Sequence, residues 1–413
     1  MKTSFRSKLL ITTLLALSQT VSADSTVPQP FQGFDADSKY VITYNDLTAL
    51  LKTVVVDVGR SSRTVADPTR AKTGTMMKSK VKRTTADEGN RFYFETFQDN
   101  DKGRQLLRTI RDSLEQLPAE VSLEYFSRDE QLAYWLNLYN VTLLNEVVDI
   151  FPKRNLKKYL VGKKSILSKK LLTVSGVPLS LNDIQFTILK HNYDNNPLVM
   201  YGLYQGIIGG PNIRRSAYTG KDVWRALENN AIEFINSNRG TYSISADSKD
   251  YKVSSLYDRN RSYFPSFNAD LSAHLSEYLE GYELARLRDA DTLDPDINDW
   301  TITSLSGNYR QFGGSIADNS AALLGAVYST VVNTNEGAGG ATLAASVGYG
   351  ATGIAQQSLV MNRIDPDLLE HLTELNDKRK ATNAINSNVT MEELGEFPVE
   401  PKTETSEEKK DQL

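Results

Sequence analysis

The apolar positions of this chain follow several periods, and one stretch departs from all the others. From Leu132 to Ile150, residues such as Trp135, Leu136, Tyr139, Leu143, Leu144, Val147 and Val148 leave almost no polar face. A helix that is apolar all round belongs in the middle of a domain. Ser127, with Glu130 three residues later, reads as a capping-box start, and Phe151-Pro152 reads as its end. Asn137, Asn140 and Asn145 are embedded in this helix, and buried amides require hydrogen-bond partners. Amphipathic spacing predicts further helices over Tyr44 to Val58, Leu106 to Leu117, Asp222 to Ser237 and Leu271 to Leu279. A helix capped by Ser180 or Asn182 is expected to run to His191. Leu171 to Val174, followed by a turn at Gly176, reads as a strand, and Tyr242 to Ile244 with Tyr251 to Val253 reads as a hairpin. The fold class is therefore α+β: a mainly helical domain with a central buried helix and a small antiparallel sheet.

The two ends differ from this body. Lys2, Arg6 and Lys8 precede an apolar run from Leu9 to Leu17, and Val21-Ser22-Ala23 supplies small residues for cleavage. That is the three-part pattern of a secretory signal, with cleavage expected after Ala23 and a periplasmic or secreted destination. Residues 24–36 read as a mobile polar leader and 37–308 as the main domain. Residues 309–375 form an Ala/Gly-rich extension, within which 313–362 carries only Asp318 and Glu336 as charged residues. Residues 376–413 form an acidic tail that composition assigns to disorder.

Charge narrows the partners. Loss of the signal would leave 44 Lys+Arg against 51 Asp+Glu, a net charge of −7, which argues against a general nucleic-acid binder. With no cysteine there are no disulfides or thiolate nucleophiles, and with three histidines a His-rich metal centre is not expected. Neither a cofactor nor a metal is expected. Two basic stretches stand out. Residues 61–91 read as a long exposed loop. Lys153 to Lys170 contains eight cations, and no acid occurs between Asp149 and Asp183. Lys157, Lys158, Lys163 and Lys164 are the candidates for an anionic partner, against the plainer reading of a solvated face. The acidic run Asp289, Asp291, Asp294 and Asp296 lacks the glycine and terminal glutamate of an EF-hand loop.

Candidate chemistry centres on Met200 to Arg214. One reading makes it a cleft wall, with glycines for close approach, Gln205 and Asn212 as amide hydrogen-bonders and Arg214 as an anion clamp. The other makes it a glycine-softened core strand that ends in a turn. Trp135, Asn137, Tyr139 and Asn140 would line the same cleft from the central helix, and Asp183 and Gln185 would complete it. Core packing and helix capping are the plainer alternatives for both sets. His191 follows Asp183 by eight residues, but no serine stands in a Gly-x-Ser-x-Gly elbow.

Several blocks together resemble the domain of unknown function 547 (DUF547) family. They are Glu130 to Asn140, Leu179 to Ile184, Asn196-Pro197 to Ile213, Ser216 to Thr219, Ser255 to Tyr263 and Asp299-Trp300, in the family's order. The resemblance implies a His, two cysteines and an acid at positions where this chain has Met200, Gln205, Gly210 and Gln185. All four exchanges remove groups that ionise, bind metal or attack carbon. The expectation is an exported binding or scaffold protein rather than an enzyme. The rival is an enzyme acting on peptide, amide or glycan substrates, and a third reading is surface association through the basic stretch. Its partner is unknown from sequence; an envelope polymer, a lipid head group and another envelope protein all suit it.

Overall fold

The computed structural model describes residues 27–65, 82, 84–245, 248–305, 363, 364, 368, 371 and 374. The signal segment, residues 313–362 and the acidic tail lie outside the described residues. The main compact unit ends at Arg363, and a separate unit begins at Ile364, in which positions 368, 371 and 374 are helical.

The helices and strands follow in chain order as α1 (Asn45–Val54), β1 (Val55–Val56), β2 (Arg91–Phe92), α2 (Asp101–Glu120) and α3 (Arg128–Ile150). Next come α4 (Lys157–Leu160), β3 (Leu172–Val174), β4 (Val177–Leu179), α5 (Lys190–Asn192) and α6 (Val223–Ile235). The last are β5 (Thr241–Ser243), β6 (Asp250–Ser254), α7 (Ser255–Arg259), α8 (Phe267–Tyr278), α9 (Gly281–Arg288) and β7 (Thr292–Ile297). About half of the described chain is helical, and the sheets are small, in keeping with the α+β class.

α3 is the central element because its pattern leaves no face for water. Every residue from Glu130 to Tyr139 is buried. The Ser127 hydroxyl caps it by accepting from the Glu130 N–H at 3.3 Å. The Glu130 carboxylate does not close a capping box. It accepts instead from the N–H groups of Ile42 (3.0 Å) and Gly220 (3.1 Å), tying two distant loops to the helix start. Removal from water raises its pKa, and those two backbone donors act against the rise. α2 packs along α3, and side-chain bonds lock the pair. Tyr134 donates to the Leu114 carbonyl at 2.9 Å, and Asn145 donates to Leu107 at 3.2 Å. A buried ion pair closes one side: Arg363 reaches both oxygens of Asp46, one at 3.0 Å, and also bonds the Ser113 hydroxyl. The Thr43 N–H donates to the Arg363 carbonyl at 2.9 Å.

β3 and β4 form a hairpin with Leu172 opposite Leu179. Its two turn residues, Ser175 and Gly176, both have positive φ (47° and 78°), the twist that suits a two-residue hairpin. β5 pairs with β6 antiparallel, as expected, but β6 also pairs parallel with β7, with Lys252 opposite Asp294. The last two acids of the acidic run therefore lie on an edge strand, where Pro295 is tolerated, and Lys252 pairs with both Asp294 and Asp296.

Three local expectations differ from the structure. Asp183–Leu189 is a π-type helical stretch, wider than an α-helix, before α5 ends near His191. Within the stretch read as an exposed loop, residues 84–91 fold inward. Ala86 and Arg91 are buried, and Arg91 donates to the carbonyls of Ala86 and Glu88. In the segment read as a mobile leader, Phe31 is buried with its ring edge-on to Trp135 at 5.0 Å. No described helix is long and apolar enough to cross a membrane.

Candidate functional site

The two asparagines singled out on α3 are polar groups consumed by the fold. Asn137 donates to the Tyr218 carbonyl and accepts from its N–H, both at 2.9 Å. Asn140 makes the same two-way bond, to the Gly202 carbonyl and from the Tyr204 N–H, again at 2.9 Å. Each amide thus acts as a backbone clamp that holds an irregular segment to the helix. Trp135 and Tyr139 are buried side chains of α3. Burial pushes the Tyr139 hydroxyl upward despite the nearby Arg259 guanidinium.

Met200 to Ile213 is buried and forms no named strand, and only the end of the segment reaches an open concavity. Pro197–Gly202 is a 3₁₀ turn, and the residues beyond it pack under residues 299–303. Gly209 lies so close to Asp299 that a Cβ would come within 2.7 Å of its backbone nitrogen. Met200 is buried. The Gln205 side-chain oxygen Oε1 accepts from Arg259 at 2.7 Å, and Gln185 donates to the side-chain oxygen of Asn260. Arg259 lies over the Trp300 ring, and burial lowers its pKa to about 10. Gln185 and Gln205 are therefore held by adjacent residues of one turn. Asp183 serves a cap: it accepts from the Ser180 N–H at 2.6 Å and pairs with Lys170 at 2.7 Å. Burial would raise its pKa, but these donors outweigh burial and lower it.

Only part of the set meets at an open concavity. Asn212 and Arg214 line a cleft of about 340 Å³, together with Arg60, Arg215 and Glu233. Asn212 is itself engaged, accepting from the Asn90 N–H at 2.8 Å and from Arg239 at 3.1 Å. Arg214 lies over the Tyr218 ring, and its Nη1 is buried without a partner. Asn137, Asn140 and Arg214 also border a void of about 20 Å³, too small for a ligand.

The basic stretch is shaped rather than scattered. Lys153, Arg154, Lys157, Lys158, Tyr159 and Val161 line a concavity of about 600 Å³ that contains no acidic residue. Lys163 and Lys164 are exposed in the turn that follows. Among the described residues none of these six cations is in an ion pair.

A further groove, of about 620 Å³, contains none of the candidate ligand-binding residues named from sequence. Its rings are Tyr193, Trp224, Tyr263, Phe264 and Tyr278, and its carboxylates are Asp194, Asp270 and Glu277. Asp194 and Asn195 are consecutive left-handed residues (φ 55° and 56°), and the Asn195 N–H is fixed to the Lys190 carbonyl at 2.8 Å. His274 lies in the wall, with Nε2 2.9 Å from the Tyr201 hydroxyl, and burial lowers its pKa to about 4. The Asp-Asn pair at 194–195 is the one local signal for this groove, because those residue types tolerate left-handed backbone. The other walls come from distant parts of the chain. Among the described residues no three His, Asp or Glu side chains gather to hold a metal ion.

Residues 123–235 match the family model described as protein of unknown function, DUF547. The match runs from the turn before α3 to the last residue of α6, so it includes the central helix and the basic stretch. The Ser255 to Tyr263 and Asp299-Trp300 blocks lie beyond it. No curated protein and no solved structure matches the chain.

Proposed function

We propose that this chain, whose residues 123–235 match the DUF547 family model, is an exported binding or scaffold protein of the cell envelope that performs no catalysis of its own. One observation carries the reading. The positions where the resemblance implies acid, imidazole and thiol groups hold Gln185, Met200, Gln205 and Gly210. Both glutamine side chains are already spent on internal bonds to Asn260 and Arg259. Amides and a thioether can grip or support, but they supply no nucleophile and no titrating base near neutral pH. Export rests on the amino-terminal signal pattern, with cleavage after Ala23.

The basic concavity favours an additional role, association with an anionic envelope surface such as lipid or lipopolysaccharide phosphates. Four cations with no ion pair among the described residues line one concavity of about 600 Å³, with Tyr159 and Val161 among them, and suit that partner. Val161 is 43 % exposed, an apolar contact available beside the charges.

Two measurements test these readings. The purified mature chain, assayed for peptidase, transglutaminase-like and glycan-hydrolase turnover, should show none. A robust rate lost in Gln205→Ala would establish the enzymatic rival. Sedimentation with vesicles containing anionic lipid should fall as salt rises, and should be lost when Lys157, Lys158, Lys163 and Lys164 are all changed to Ala.

A further inference from the structure

We infer that the groove between α8 and residues 193–198 binds a cationic ligand, one that carries ammonium or guanidinium groups on apolar stems. This site is separate from the basic concavity and does not depend on the reading given for it.

The charge balance comes first. Asp194, Asp270 and Glu277 face a single cation, Arg128, within the lining. Arg128 is already committed: its Nε donates to the Asn192 carbonyl at 2.9 Å, and its Nη2 pairs with Asp194 at 2.6 Å. Its guanidinium also covers the Tyr193 ring at 5.3 Å. The groove therefore has a surplus of two negative charges and no uncommitted guanidinium, and an anion would be repelled.

Two acceptors of the groove are open to a ligand's donors. The Asn195 side-chain oxygen is buried with no donor, although its amide nitrogen bonds the Tyr263 carbonyl at 3.4 Å. Glu277 is exposed, and among the described residues it has no ion pair. Both ask for donors, and a buried acceptor left unpaired carries a cost that a ligand N–H would relieve.

The rings select what carries those donors. Trp224 and Tyr278 are half-exposed in the lining, and a cation held over such faces gains from the ring quadrupole. The volume exceeds what one small amine fills, so stems lying along the rings are part of the fit. Backbone geometry keeps the wall in place without a ligand. The left-handed pair at 194–195 is fixed by two main-chain bonds, Asn195 to Lys190 and Asn196 to Tyr193.

The test uses the mature full chain and the capped peptide acetyl-Lys-Lys-Lys-amide, followed by calorimetry at low and high salt. Saturable binding should weaken at least about fivefold between 20 and 300 mM salt. Glu277→Gln, at an exposed position, and Tyr278→Ala should each weaken it about three- to tenfold, with unchanged circular dichroism. Replacing Lys157 and Lys158 should leave it unchanged, so failure here and failure of the basic-concavity reading are separately visible. Absence of saturable peptide binding would overturn the inference, as would binding indifferent to both groove substitutions. Salt-independent binding of uncharged maltotriose at the groove, without peptide binding, would assign it to a neutral saccharide instead.

Discussion

The interior around α3 and the groove beside α8 use the same kinds of side chain to opposite ends. Around α3, Asn137, Asn140, Gln185 and Gln205 each meet a protein group of complementary hydrogen-bonding sense. In the groove the Asn195 oxygen has no donor, and Glu277 reaches solvent. Residue type alone therefore says little about where a ligand goes. What separates these amides from the groove's Asn195 oxygen and Glu277 is whether the fold has already used the polar atoms. Changes around α3 should be felt in stability and not in binding, and changes in the groove should do the reverse.

The largest expected effect is at Asn137. Asn137→Ala removes both bonds to Tyr218 and strands a buried N–H and carbonyl, for a loss of about 4 kcal/mol in urea unfolding. Unchanged affinity for the lysine peptide in this variant would sharpen the comparison; a matched loss of affinity would break it.

His274 tests where the groove wall meets the core. Burial lowers its pKa to about 4, against about 6.5 unfolded, so the unfolded chain takes up the proton first on acidification. Its contribution is complete above pH 6.5 and is lost as pH falls toward 4, amounting to roughly 3 kcal/mol. Unfolding measured at pH 7, 5.5 and 4.5 should show a flatter slope in His274→Gln than in the natural chain.

Gln205→Ala should cost about 1–2 kcal/mol, since Arg259 loses one partner but keeps Ser255 and the Trp300 face. Denaturant midpoints at constant slope would measure it. The smallest effect belongs to Glu277→Gln, within about 0.5 kcal/mol of the natural stability. A larger change would mean that Glu277 serves the fold rather than a ligand.

The same contrast marks what sequence reasoning can reach. The centrality of α3 was legible because every turn of it is apolar, and the need to satisfy its amides followed from burial. The destinations of those amides were not legible, because Tyr218 and Gly202 lie 81 and 62 residues away. Glu130 sits at capping-box spacing, yet its carboxylate serves Ile42 and Gly220, since tertiary donors outcompete the local one. Residues 84–91 look like surface by composition, but Arg91 finds carbonyls inside. β7 was not legible as a strand, because its Asp-Pro-Asp carries no apolar alternation and its charges are met by Lys252 from the neighbouring strand. The groove had no periodic signature at all, since residues 128, 193–198, 224 and 263–278 converge only in three dimensions.

The pairing of Arg363 with Asp46 bears on where this polypeptide can be shortened. A version stopped after residue 305 would keep every helix from α1 to α9 and yet leave a carboxylate stranded in the interior beside Ser113. Losing one half of such a pair costs about 3–5 kcal/mol, a large share of an ordinary folding stability of about 5–15 kcal/mol. The body of the protein thus depends on an arginine that lies 58 residues past Leu305 in the chain, so a boundary drawn at the end of the last strand would fall short of what the interior needs.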